Sequence, residues 1–182
     1  DIHTCNVNLP LRECNVNSNC VCRCVDYTQP GILTTNRELR AAAIQGDTSL
    51  IAFWDVSLVD DFSHVFTASS FNADISAWDV SQGTAFRSMF SGASSFDQPL
   101  DGFDTRSVTT MAGMFSGASA FNRPLDGFDT RSVTDMSLMF FCASAFNQPV
   151  SFDTRNVTVM REMFYRADAM SKCNKAATHA IL

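Results

Sequence analysis

The sequence predicts an α/β repeat fold, a short solenoid of about five stacked coils, and three observations predict it. An aromatic residue recurs at Trp54, Trp78, Phe103, Phe128 and Phe152, at intervals of 24, 25, 25 and 24 residues, and a fixed period of that length marks an array of stacked repeats. Inside each period the apolar residues fall mostly at i, i+3, i+4 and i+7, the spacing of one face of a short helix. The stretch that follows is too short for a second helix, and the same stretch in neighbouring units is expected to run extended and pair as parallel strands about 4.8 Å apart.

The elements follow in chain order. Residues 1–30 have no helical or strand period and hold Cys5, Cys14, Cys20, Cys22 and Cys24, five of the seven cysteines; Cys142 and Cys173 are the others. That density predicts a disulfide-stapled cap in an oxidising compartment. Single-residue spacing in Cys20-Val21-Cys22-Arg23-Cys24, with no histidine beside it, argues against zinc. Seven is odd, so at least one thiol is free or pairs between chains, and the connectivity stays open. Residues 31–53 form the lead-in: Thr35-Asn36-Arg37-Glu38 has capping-box spacing in front of an apolar run, so a helix is expected over about Asn36 to Gln45, ended by Gly46. Residues 54–170 are the five-unit solenoid, and residues 171–182 are a C-terminal cap or tail.

Four apolar columns define the helix face expected in each unit. They are Phe62/Phe86/Met111/Met136/Met160, Val65/Met89/Met114/Met139/Met163, Phe66/Phe90/Phe115/Phe140/Phe164 and Ala68/Ala93/Ala118/Ala143/Ala167. Thr84, Thr109, Thr134 and Thr158 lie just ahead of it, where a hydroxyl can serve as N-cap. Phe71/Phe96/Phe121/Phe146 and Ile75/Leu100/Leu125/Val150 then lead back to the next unit, and a core of like residues stacked ring on ring is expected. The Asn72/Asp97/Asn122/Asn147 column is expected to satisfy turn backbone.

The signature VTxMxxMFxxAxxFNxPLxxFDT, as it stands from Val108 to Thr130, resembles the BspA-type leucine-rich repeat family, in its Met-Phe-rich branch of microbial surface proteins and lipoproteins. The resemblance covers Trp54 to about Met170. It implies a right-handed, leucine-rich-repeat-like solenoid, a secreted or cell-surface setting, and adhesion or protein binding with no catalytic residues. Gly83, where other units have Val, and Met170, in place of Phe, depart from the pattern.

Composition narrows the function. A net charge of −6 with no Lys/Arg stripe argues against nucleic acid, and no apolar run approaches the roughly 20 residues that span a bilayer. The chain starts at Asp1, which suggests a processed chain or an excerpt of a longer one. His3, His64 and His179 stand in no spacing known from hydrolases or zinc enzymes, so no catalytic site and no cofactor are expected. The Asp column at Asp55, Asp79, Asp104, Asp129 and Asp153 could suggest calcium, but one carboxylate per unit, followed in later units by Arg106, Arg131 and Arg155, fits turn hydrogen bonding better.

Function is expected where the repeat breaks its own rule. Leu138, Phe141 and Tyr165 place apolar residues in columns that are polar or small elsewhere, so they are candidate partner-binding residues, or residues covered by the apolar tail from Ala176 to Leu182. Asn156 begins an Asn-Val-Thr sequon and is a candidate glycosylation site. The expected function is a non-catalytic, secreted or surface adhesion module that binds other proteins or surface glycans. An alternative is a structural subunit docked permanently in a larger extracellular or lumenal assembly. A third is ice or mineral binding through the Thr105/Thr130/Thr154 and Asp ranks.

Overall fold

The computed structural model describes residues 32–45 and 48–174. The Cys-rich cap at 1–30, the Gly46 helix stop and the apolar tail beyond 174 lie outside the described residues. Helix α1 spans Asn36–Gln45, the range expected. The Thr35 hydroxyl accepts the Glu38 N–H at 3.2 Å, while the Glu38 carboxylate reaches back to the N–H and hydroxyl of Thr34, each at 2.9 Å. The back-bond therefore lands one residue earlier than a regular capping box would place it. The Thr34 N–H in particular holds Glu38 below the usual carboxylate range. Leu39 and Ala42 bury one face of α1, and a 3₁₀ helix at Thr48–Phe53 leads into the repeats.

Beyond Phe53 the α/β leucine-rich-repeat solenoid expected from the sequence does not form. The described residues hold α1, the 3₁₀ helix, a helical turn at 172–174 and no strand. The five units, from 54, 78, 103, 128 and 152, are coils built almost wholly of turns. Parallel pairing is reduced to isolated bridges that link Asp61 to Ala85, Ala85 to Thr110, Thr110 to Asp135 and Asp135 to Val159. These bridges precede the apolar columns, not the Phe71–Ile75 segment where strands were expected.

The backbone donors show why no helix forms. At each junction four alternate N–H groups of one coil donate to alternate carbonyls of the next, as Met111, Gly113, Phe115 and Gly117 do to Asp135, Ser137, Met139 and Phe141 at 2.7–3.0 Å. The N–H groups between them close local turns, Met114 to Met111, Ser116 to Gly113 and Ala118 to Phe115. An α-helix needs every N–H for its own i−4 carbonyl, so a donor set split in this way excludes it. Left-handed φ at Gly113 (64°) and Gly117 (69°), repeated in the equivalent residues of the other coils, fits turns whose third residue has positive φ. Size agrees: neighbouring helices need about 8–10 Å between axes, whereas equivalent rings of successive coils stand 5.3–6.1 Å apart.

Two sequence columns are corrected by this register. Thr84, Thr109, Thr134 and Thr158 cap no helix; each hydroxyl donates to a carbonyl of the preceding coil at 3.1–3.2 Å. Ala68 stacks under Gly92, its Cα 3.3 Å from where a Gly92 Cβ would stand, so Ser69, not Ala68, shares the column of Ala93.

The core is a double file of phenylalanines. Phe66, Phe90, Phe115, Phe140 and Phe164 stack along the coils at 5.3–5.6 Å, and Phe71, Phe96, Phe121 and Phe146 do so at 5.8–6.1 Å. Within each of the first four coils the two files meet face to face at 3.8–4.1 Å. The polar column beside them works as expected: the side-chain oxygens of Asn72, Asp97, Asn122 and Asn147 accept the backbone N–H of Asp97, Asn122, Asn147 and Ser171 in turn. The start of the stack is closed by α1, where Asn36 Nδ2 donates to the carbonyls of Asp61 and Ser63 at 2.9 Å.

Candidate binding surface

The outward corner of each coil carries the Asp column. In the third to fifth coils Asp104, Asp129 and Asp153 each accept the backbone N–H of the arginine two residues on at 3.1–3.2 Å. The same arginine returns a bidentate pair, with Nε on Oδ1 at 2.9–3.0 Å and Nη2 on Oδ2. Hydrogen bonds from Arg131 and Arg155, above all from the guanidinium, lower the carboxyls of Asp129 and Asp153 to about 2. Asp55 and Asp79 bind the backbone of Ser57 and Ser81 instead. These carboxylates are already engaged, and among the described residues no group of three or more His, Cys, Asp or Glu is placed to hold a metal ion.

Two of the three threonines of the rank considered for ice turn inward, and the third, Thr154, is half-buried. Thr105 and Thr130 are 1% and 2% exposed, and each hydroxyl donates to the carbonyl of Asp129 or Asp153 while accepting that residue's N–H. Asn156 is exposed, and its Nδ2, the atom a glycan would occupy, donates to the Arg131 carbonyl at 2.6 Å. Ser132 fills the same role one coil earlier. Cys142 is half-buried and Cys173 exposed, and both are free thiols; the other five cysteines lie outside the described residues.

The Phe141 and Tyr165 rings meet, and Leu138 lies on the same turn as Phe141. Leu138 and Phe141 are the two ends of one turn, closed by the Phe141 N–H on the Leu138 carbonyl at 3.0 Å. The Phe141 and Tyr165 rings stack across the coil junction at 5.3 Å and 18°. Leu138 is 39% and Tyr165 55% exposed. Phe141 and Tyr165 thus form a stacked pair across the fourth and fifth coils, with the exposed Leu138 at the other end of the Phe141 turn, where the earlier coils carry Thr67, Ser91 and Ser116 in the Phe141 column.

Two features of this surface were missed in the sequence. Leu138 has a left-handed φ of 59°, which the glycine at the equivalent Gly113 could have signalled. Arg87 reaches past a whole coil to Asp135 at 3.3 Å, and no local spacing announces that pair. No described helix is long and apolar enough to cross a membrane.

Comparison with known protein families yields a match. A family model described as Mycoplasma protein of unknown function, DUF285, matches residues 38–140 and again 98–179. Neither a curated protein nor a solved structure matches the chain. The two matched stretches run from α1 through the fifth coil, well over half of the sequence, and the chain belongs to the DUF285 family.

Proposed function

We propose that this chain is a non-catalytic recognition module of the cell exterior, which adheres to a protein or surface glycan through Leu138, Phe141 and Tyr165. The observation that carries this reading is the stack of a half-buried Phe141 on the exposed Tyr165. Aromatic faces presented to solvent are favoured anchors at interfaces, since they bury much area at little cost in side-chain entropy. Leu138 supports it from the backbone. Of the seven non-glycine residues with positive φ among the described residues it is the one large aliphatic, and a γ-branched side chain held in a strained conformation points to a role beyond folding.

The setting rests on the resemblance of Val108 to Thr130 to the BspA-type surface repeats and on the cysteine-rich segment at 1–30. The expected partners remain other proteins or surface glycans. The test compares the parent chain with the Leu138→Ser/Phe141→Ser/Tyr165→Ser variant on immobilised extracellular-matrix proteins and on a glycan array. Saturable binding by the parent that falls at least tenfold in the variant supports the proposal. Equal binding by both, or none by the parent on either surface, overturns it.

A further inference from the structure

We propose that the open end of the fifth coil is a docking edge for a repeat coil contributed by another polypeptide. At the four internal junctions the donors come from the same four columns of the earlier coil. In the fifth coil those columns hold Met160, Glu162, Phe164 and Arg166, whose backbone N–H groups have no acceptor among the described residues. The Thr158 carbonyl likewise lacks the donor that Thr84, Thr109 and Thr134 each receive from the following Thr. Edges with unpaired backbone groups template the addition of another chain.

The edge is already in its binding shape. Glu162 and Arg166 hold φ of 53° and 56°, the left-handed values of the filled coils, so the donors point outward without rearrangement. Phe164 stacks on Phe140 at 5.3 Å and is half-buried, so the ring is partly open to an incoming one.

The pattern of donors identifies the occupant. It must offer one N–H to the Thr158 carbonyl and then carbonyls on the first, third, fifth and seventh residues after that donor, with an aromatic side chain to lie on Phe164. That is what Thr109, with the carbonyls of Thr110, Ala112, Met114 and Ser116, offers the second coil. A second copy of this chain fits poorly at either end. Two open ends facing each other set donors against donors, and at the opposite end α1 occupies the Asp61 and Ser63 carbonyls through Asn36. The occupant that this pattern fits is a different chain whose first repeat coil is uncovered, and a cap formed by residues 175–182 of this chain is the outcome that protection of the four amides in the free chain would reveal.

A synthetic peptide of residues 108–122, VTTMAGMFSGASAFN, is the probe, since it carries the donor, the four carbonyls, both rings and glycines at the left-handed positions. It is titrated into the full ¹⁵N-labelled chain while amide exchange is followed. The proposal expects fast exchange at Met160, Glu162, Phe164 and Arg166 in the free chain, slowed at least tenfold at peptide saturation. Exchange at the internal donors Phe115 and Phe140 stays unchanged and reports an intact stack.

The Phe115→Ala peptide is expected to bind at least tenfold more weakly. Retained peptide binding in the Leu138→Ser/Phe141→Ser/Tyr165→Ser variant would separate this edge from the recognition surface. Protection of the four amides in the free chain, protection that grows with protein concentration without peptide, or peptide shifts that bypass them would each overturn the proposal.

Discussion

Leu138 shows how one side chain can work against its own backbone. At φ 59° a non-glycine residue is held at a cost of about 1–2 kcal/mol, and the equivalent Gly113 avoids that cost. Leu138→Gly should therefore leave the urea-unfolding free energy within about 1 kcal/mol of the parent, strain relief offsetting the entropy of a new glycine, while weakening partner binding. The reverse change, Gly113→Leu, has no such return: its Cβ would stand 3.1 Å from Ser88 Oγ, and a loss of about 1–2 kcal/mol is expected. The corner aspartates make a second residue-scale prediction. The folded pKa of Asp129 and of Asp153 is lowered from 3.8 to about 2 by the Arg131 and Arg155 hydrogen bonds. Whatever stability they contribute is thus complete above about pH 4 and is lost as pH falls from there through about 2. Carboxyl NMR titration should give midpoints near 2 for Asp129 and Asp153. In Arg131→Lys, which cannot form the bidentate pair, the Asp129 midpoint should move back toward 3.8, with Asp153 little changed.

The element to explain is the turn-built coil, and Gly83 exposes its tolerances. Its column holds Val59, Val108, Val133 and Val157 in the other coils, yet a Cβ at Gly83 would meet Phe86 Cε1 at 2.7 Å and the Val80 carbonyl at 2.9 Å. Phe86 stands where later coils have Met111 and Met136, and as its ring lies here it takes the space of a Gly83 side chain, although the first coil holds Val59 and Phe62 in the same two columns. Gly83→Val alone should cost about 1–3 kcal/mol through overpacking. Combined with Phe86→Met, whose flexible thioether can yield, it should cost less than the sum, with a coupling of about 1 kcal/mol in a urea double-mutant cycle. Much of the coil was legible in advance because repetition places like residues in like surroundings. The 24- and 25-residue period, the two Phe files, the Asn ladder and the Leu138, Phe141, Tyr165 departures were all readable as columns. The local backbone was not. Apolar residues at i, i+3, i+4 and i+7 suit a helix face, and they suit equally a run of turns closed to the third residue back. Gly92, Gly113 and Gly117 carried the discriminating signal, since left-handed positions interrupt a helix. The Thr hydroxyls misled for a related reason: they serve neighbouring coils, and contacts 24 or 25 residues away are invisible to local spacing.

At the scale of the whole molecule, each coil touches mainly its neighbours, so stability should resemble a sum of coil terms and junction terms. Position in the stack then decides the cost of losing a ring. Phe115 is fully buried and stacks on Phe90 and Phe140 at 5.6 Å on either side and on Phe121 at 4.1 Å. Phe164 is half-buried and stacks on Phe140 alone among the described rings. Phe115→Ala leaves a cavity walled by rigid rings and should cost about 3–5 kcal/mol; Phe164→Ala removes a partly open ring and should cost less than about half of that. The two variants should also fail differently. Trp54 and Trp78 open the first and second coils, so their fluorescence reports the α1 end of the stack, while amide exchange resolves every coil. A central break severs the stack, and Phe115→Ala should lower the urea midpoint of the tryptophan signal together with the protection of the third and fourth coils. Phe164→Ala should leave the tryptophan midpoint nearly unmoved while exchange at the Phe140 and Cys142 amides, which donate to carbonyls of the fifth coil, accelerates. Equal shifts of the tryptophan midpoint in both variants would show a single cooperative unit in place of neighbour-coupled coils.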